Sequence, residues 1–285
     1  MLKVRIKQIL CILIPILLLA GGWEVFNTCI RPNHYQLLFP YSVFHAKHLA
    51  VTETRLGGDD QLQILIPAGK AIVGKGDYEA EIELEDYWID QRPVTVASYK
   101  AFLAETNKVA PRYRNEYAKY YLEKKYELLP IVFVSWGQAE DYCEYYGGHL
   151  ATEAQWEKAA RGSEGTILYF DDEAKDFASA NYDYFYGGAT FSGWLPKGHT
   201  GFGLLDMSGN VREWILDLML ADGQEVRTDD WQTIRDMQTD DPSRMLKGGA
   251  FSDDVSHLRL NTRDSHPVYS PGVNRGFRCV YEVNE

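Results

Sequence analysis

Hydrophobic and polar positions divide the chain into three stretches. The first is a solid apolar run from Ile9 to Gly22, uncharged, preceded by Lys3, Arg5 and Lys7 and followed by Trp23. The second, up to about residue 60, shows no period and carries Pro32, Pro40 and histidines at 34, 45 and 48. The third has the punctuation of a folded domain. Leu62, Ile64 and Ile66 alternate ahead of Pro67, and Ile82 and Leu84 do the same, which predicts half-buried strands. Thr95 can cap a helix whose Tyr99, Phe102 and Leu103 share a face. Ser135 and Gln138 form a capping box ahead of an apolar stripe of Trp136, Ala139, Tyr142, Cys143 and Tyr146, which Gly147 and Gly148 end. The pattern repeats with Thr152 and Gln155, with Trp156, Ala159 and Ala160 facing inward and Gly162 as the stop. The last third turns to short alternations. Leu258, Leu260 and Thr262 alternate with Arg259, Asn261 and Arg263, and Phe277, Cys279 and Tyr281 alternate with Arg278 and Val280. Helices clustered first and strands clustered later predict an α+β layout.

The charged flank changes the picture of the first stretch. Basic residues stay in the cytoplasm, so residues 9–26 are expected to enter the membrane and everything after them to lie outside it. The expected organisation is an anchor over residues 1–26, a juxtamembrane linker over 27–60 and an exported domain over 61–285, periplasmic in a Gram-negative cell. An apolar run this short also suits a signal peptide, with Ala20 and Gly22 as the cleavage site, and that alternative exports the domain too. Neither Cys11 nor Cys29 has a lipobox-like context. His45 and His48, spaced i, i+3, have no further ligands nearby and read as linker histidines. A net charge of −12 and a pI near 5.1 exclude a nucleic-acid partner, which would need a basic face. Two stretches read as charge-rich loops. Residues 108–129 carry Tyr113, Tyr117, Tyr120 and Tyr121 among lysines, and residues 217–244 hold eight acidic residues against three arginines.

Several short motifs follow one another in a fixed order. They are Ile66-Pro67-Ala68-Gly69, Tyr87-Trp88-Ile89-Asp90 running into Pro93-Val94-Thr95, Val134-Ser135-Trp136, and the run from Ala151-Thr152-Glu153 to Ala160-Arg161-Gly162. Next come Gly203-Leu204-Leu205-Asp206-Met207-Ser208-Gly209-Asn210-Val211-Arg212-Glu213-Trp214, Lys247-Gly248-Gly249 and Gly276-Phe277-Arg278-Cys279. In this order they resemble the formylglycine-generating enzyme (sulfatase-modifying factor) family, over roughly residues 62–282. The resemblance implies an irregular α+β fold akin to C-type lectins, here preceded by one N-terminal transmembrane helix. It implies a disulfide between Cys143 and Cys279, which an exported domain permits. The alternative reading is two reduced core cysteines. It also implies a calcium ion held by the carboxylates of Asp206 and Glu213 and the carbonyls of Gly209 and Val211, since calcium takes oxygen donors from flexible loops. Without calcium, Asp206 would stabilise a turn and Glu213 would cap a helix start. A second family calcium site would begin at Asn181 and Tyr182, but residues 187–203 supply no acidic partner for it.

The departures matter most. Catalytic members of the family bind copper through two cysteines and use oxygen to convert a substrate cysteine to formylglycine. Here the chain has no cysteine between Cys143 and Cys279, and the two positions read Asp253 and Leu258. Ala250 and Asp254 replace polar residues of the enzymes, and Arg212 stands where they carry tryptophan. A carboxylate cannot replace a thiolate toward Cu(I), so no copper and no formylglycine generation are expected. The expected function is a membrane-anchored binding module or accessory subunit with protein partners. One alternative is a periplasmic metal-dependent oxidoreductase or maturation enzyme of the pyoverdine-tailoring type, with Asp253, Asp254, His257 and His266 as ligands in the old groove. Another is a displayed variable ligand-binding protein on the same fold.

Overall fold

A computed structural model describes residues 53–76, 79–112, 123–162, 165–168, 176–219, 230–237 and 243–283. The chain divides into two units, Met1–His48 and Leu49–Glu285, and every described residue belongs to the second. The expected anchor, most of the linker, the middle of the Tyr-rich insertion and most of the acidic stretch lie outside the described residues. Among the described residues no helix is long and apolar enough to cross a membrane.

Strands from distant parts of the chain form the framework. A five-stranded sheet runs in the order β1 (Thr54–Leu56), β2 (Leu62–Ile66), β5 (Tyr87–Asp90), β11 (Cys279–Glu282) and β6 (His149–Leu150), all antiparallel. The alternation at Ile64 and Ile66 turns both side chains into the core, with Ile64 opposite Ile89 across the ladder. A four-stranded sheet pairs β10 (Arg275–Gly276), β7 (Arg212–Leu218), β8 (Ser243–Lys247) and β9 (Asp264–Pro267). β3 (Gly69–Val73) and β4 (Ala80–Leu84) form a hairpin.

The caps read in the sequence form as expected. Thr95 Oγ1 accepts from Ser98 N at the start of α1 (Val96–Thr106). Complete capping boxes open α2 (Trp136–Tyr145) at Ser135 and α3 (Glu153–Arg161) at Thr152. A short α4 (Trp231–Asp236), capped by Asp230, falls within the acidic stretch that the sequence presents as loop. Residues 258–263 form no strand. They are the end of a 3-10 helix (Val255–Leu258) and a turn in which Thr262 N donates to Arg259 O, and that geometry buries Leu258 and Leu260 without a ladder.

α3 departs most from its sequence pattern. A one-sided apolar stripe predicts an amphipathic helix, yet every residue of α3 is buried. Its charges tolerate this because each meets a partner brought from elsewhere. Glu157 lies 2.6 Å from Lys247 Nζ and 2.9 Å from Arg161. Glu153 receives Arg263 at 2.6 Å and Lys247 at 3.3 Å, and Lys158 Nζ donates to Gly69 O at 2.7 Å. Arg161 also donates to the carbonyls of Ile72 and Gly74, which ties β3 to the helix.

Cys143 of α2 and Cys279 of β11 form a disulfide, with Cα atoms 5.4 Å apart, as the family resemblance implies. It links segments 136 residues apart within a cluster of Tyr99, Phe102, Tyr142 and Phe277. The neighbouring Arg278 points the other way and is fully buried. Its donors reach Glu213 twice, at 2.7 Å each, and the carbonyls of Asp90, Gln91 and Leu205 at 2.8–3.1 Å. Replacing Arg278 by Met would strand the buried Glu213 carboxylate. Arg278→Met is expected to cost about 3–5 kcal/mol, read from the shift in urea midpoint of the domain over residues 49–283. A loss below about 1 kcal/mol would show that the domain does not depend on this residue.

Candidate functional site

Asp253 and Leu258, which the family resemblance sets at the two catalytic thiol positions, lie on the segment leaving β8. Gly248 and Gly249 both adopt left-handed φ, at 88° and 68°, and a Cβ on Gly249 would sit 2.7 Å from Leu258 and 2.8 Å from His257 O. That turn presents Asp253 inward. Its Oδ2 accepts from Ala250 N at 2.7 Å and pairs with Arg212 at 3.0 Å. Arg212 reaches Asp264 as well, at 2.7 Å. Arg275, next along, donates to His266 Nε2 at 2.9 Å and to Ser270 O at 2.6 Å. The result is a half-buried ionic string of Asp253, Arg212 and Asp264, with His266 and Arg275 alongside. Leu258 is fully buried and packs with Ala180 and Tyr182. One thiol position therefore holds an ion-paired carboxylate, and the other belongs to an apolar cluster.

The four residues expected as alternative metal ligands do not converge. Asp253 faces Arg212. Asp254 is exposed and caps the 3-10 helix, accepting from Ser256 N at 2.8 Å and Ser256 Oγ at 2.5 Å, with His257 Nδ1 at 3.3 Å. His266 presents its Nε2 to Arg275, and burial, then the Arg275 charge, holds its pKa below the usual histidine value. A histidine nitrogen accepting a guanidinium N–H has no lone pair left for a metal. Among the described residues no group of three or more His, Cys, Asp or Glu is arranged to hold a metal ion.

The expected calcium donors lie on one turn, but they are differently engaged. Asp206 is buried at φ 58°, and its Oδ2 accepts from Gly193 N at 2.7 Å and Asn210 Nδ2 at 3.0 Å. Burial is the main cause that raises its pKa. Gly209, at φ 89°, lies so close to Asn181 that a Cβ would come within 2.4 Å of its carbonyl. Glu213 is not a helix cap, because it lies on β7. Both of its oxygens are engaged, Oε1 by Arg278 and Oε2 by Arg278 and by Trp156 Nε1 at 2.9 Å. A cation at Glu213 would compete with Arg278, so this carboxylate does not fit the expected ligand set. At the second family site, Asn181 Nδ2 donates to Gly188 O at 2.9 Å, while its buried Oδ1 has no hydrogen-bond partner.

Beyond the ionic string, the connection between β9 and β10 walls a cavity of about 430 Å³. Phe133, Trp136, Val268, Tyr269 and Pro271 line it, and Arg112 supplies a charge. Phe133 holds φ 63°, a strained value for a bulky residue, fixed by its N–H to Gly272 O. Such a groove can accept an apolar group. Asp264 and Arg275, which complete the ionic string, escaped the sequence reading. The paired departures at Arg212 and Asp253 were the available signal, since a gained cation and a gained carboxylate near one site point to each other.

Comparison with known proteins agrees with this architecture. The family described as "Sulfatase-modifying factor enzyme 1-like domain" matches residues 49–283. Serine/threonine-protein kinase pkn1 of Chlamydia pneumoniae is 27% identical over 216 residues, covering 72% of this chain and 34% of the kinase. Inactive C-alpha-formylglycine-generating enzyme 2 of Mus musculus is 29% identical over 169 residues, covering 53% of this chain and 49% of that protein. The structure of PvdO from Pseudomonas aeruginosa superposes with a TM-score of 0.64 at 20% identity, covering 81% of this chain and 98% of that one. The chain thus spans about a third of the kinase and half of the Mus musculus protein, and the likeness to PvdO is one of fold.

If Arg212 and Asp253 act as a unit, their substitutions are non-additive. A double-mutant cycle with Arg212→Met and Asp253→Asn, followed by urea unfolding, is expected to give a coupling of about 1 kcal/mol or more. A coupling indistinguishable from zero would dissolve the ionic string as a unit.

Proposed function

Because the chain belongs to the sulfatase-modifying factor enzyme 1-like family, we propose that it uses that fold for contact and not for formylglycine generation. The observation that carries this reading is the occupation of both thiol positions, Asp253 by its pair with Arg212 and Leu258 by the apolar cluster. The resemblance to a relative named inactive is consistent with it. In this proposal residues 9–26 hold the chain in a membrane with the N-terminus cytoplasmic, and the domain stands on the outer face, in the periplasm of a Gram-negative cell. It serves as an accessory subunit or binding module for protein partners, not for nucleic acid, given its net charge of −12. The contact surfaces are the insertions at 108–129 and 217–244 and the groove flanked by exposed Val109 and Tyr269. Tyrosines and other amphipathic side chains suit such surfaces. Metal-dependent chemistry at Asp253, Asp254, His257 and His266 finds no supporting observation, because Asp253 pairs with Arg212, His266 faces Arg275, and Asp254 and His257 meet only each other and Ser256 at the surface.

Calcium enters the proposal in reduced form. Asp206 with the carbonyls of Gly209 and Val211 would supply oxygen donors, and Glu213 would stay with Arg278. A site so sparse in carboxylates would hold calcium weakly, with a dissociation constant on the order of 10⁻⁴–10⁻³ M.

Native mass measurement after gentle detergent extraction tests both statements. The expected species is larger than one chain and gains a calcium ion only when the ion is supplied at about 1 mM. A strictly monomeric species would contradict the contact role. Calcium retained through chelator treatment would contradict the weak site.

A further inference from the structure

The cavity beside the β9–β10 connection is built from three segments that hold one another. Trp136 N donates to Val268 O and Phe133 N to Gly272 O, each at 3.0 Å, which fastens the connection to the start of α2. Gln138 Nε2 donates to Val109 O at 3.3 Å and holds the 109–112 segment as the third wall. The Trp136 ring is fixed as well. Its Nε1 donates to Ile215 O at 2.9 Å, and the Arg244 guanidinium lies 4.4 Å from the ring. A pocket whose walls are set in advance loses little to ordering when it binds.

The lining is chemically one-sided. Phe133 and Trp136 supply rings inside, and rings recognise another ring by edge and face. Arg112 brings a positive charge, and among the described residues no Asp or Glu lines the cavity. On a chain with 41 acidic residues against 29 basic ones, that absence marks a place suited to an anionic group. Among the described residues Arg112 has no ion pair and no hydrogen bond. The first turn of α2 adds to the polarity. Ser135 Oγ and Gln138 Oε1 are committed to the capping box, and Trp136 N to Val268 O. Gly137 also lines the cavity, and its N–H has no carbonyl four residues back within the helix. A helix start and a guanidinium both favour a carboxylate.

We propose that this cavity receives the C-terminal residue of a protein partner, with an aromatic side chain against Phe133 and Trp136 and the free carboxylate at Arg112. This rests on the contact role proposed above and gives its groove an occupant. Two observations favour a chain terminus over other sources of the same chemistry. An internal segment brings N–H groups that need acceptors, yet the wall carbonyls of Val109 and Val268 are already engaged. A terminal carboxylate brings acceptors instead, which match the donors present. A free small acid would leave the rim uncovered, where Val109 is 76% and Tyr269 72% exposed. The residues preceding a terminus would cover both.

Fluorescence anisotropy with the full chain, expressed alone and purified in detergent, tests this with the labelled peptide Gly-Ser-Gly-Ser-Phe. The free acid is expected to bind about tenfold more tightly than its C-terminal amide and than Gly-Ser-Phe-Gly-Ser, in which the ring and the carboxylate are separated. Arg112→Met is expected to weaken the acid about tenfold and leave the amide unchanged. Lys70→Met removes an equal charge from the β3–β4 hairpin and should alter neither. Tyr269→Ser should weaken the peptide more than 3-phenylpropionate, a small acid measured as competitor. Equal affinity for acid and amide would overturn the proposal, as would unaltered binding of the acid in Arg112→Met. If 3-phenylpropionate binds as tightly as the peptide and Tyr269→Ser affects neither, the site is one for a small acid and the chain terminus is overturned. No peptide binding up to about 1 mM, while the chain extracted from its own membrane has a mass above one chain, would overturn this inference and leave the contact role standing. Acid-selective binding by a strictly monomeric species would do the reverse.

Discussion

The buried guanidinium of Arg278 is the interaction on which the rest of the domain depends. It joins the end of β5 through the carbonyls of Asp90 and Gln91, the 203–206 segment through Leu205 O, and β7 through Glu213. Glu213 in turn accepts from Trp156 of α3. One side chain thus connects both larger sheets and the buried helix, immediately beside the disulfide that ties β11 to α2. A buried arginine is tolerable only when its donors are met and its charge is paired, and both conditions hold here. The same pairing limits what the site can bind, since a carboxylate committed to Arg278 is not free for calcium.

Elements set by neighbouring residues were legible in the sequence. The capping boxes at Ser135 and Thr152 and the alternation at Ile64 and Ile66 act within a few residues of themselves, whereas the motif ending in Arg278 and Cys279 was legible only through the family resemblance. Features that need distant partners were not. α3 reads as amphipathic because Glu153, Glu157, Lys158 and Arg161 look like a solvated face. Their partners Lys247, Arg263, Gly69 and Ile72 lie some 90 to 110 residues away. At residues 258–263 the spacing of apolar side chains was right and the period misleading, because a turn can bury the same positions as a strand. α4 was hidden by composition, since its acidic setting masks Trp231 and Ile234 as anchors.

At the candidate site, sequence and geometry divide the work differently. Residue identity alone removes the thiol pair. Only the structure shows what takes its place: Asp253 neutralised by Arg212, Asp264 drawn to the same guanidinium, and Arg275 occupying the free nitrogen of His266. These contacts leave Asp253 in an ionic string and Leu258 in an apolar cluster. They also explain why the four candidate metal ligands, adjacent in sequence or in the fold, do not act together. An apolar groove with one arginine remains nearby, a surface suited to recognition more than to chemistry.

The proposal made above is that Asp253 and Leu258 leave this domain without formylglycine-generating activity. The direct measurement is mass spectrometry of a sulfatase-type cysteine peptide incubated with the purified domain, with oxygen and with or without copper. The peptide cysteine is predicted to remain unconverted under both conditions. Appearance of the formylglycine aldehyde would contradict the account at its foundation.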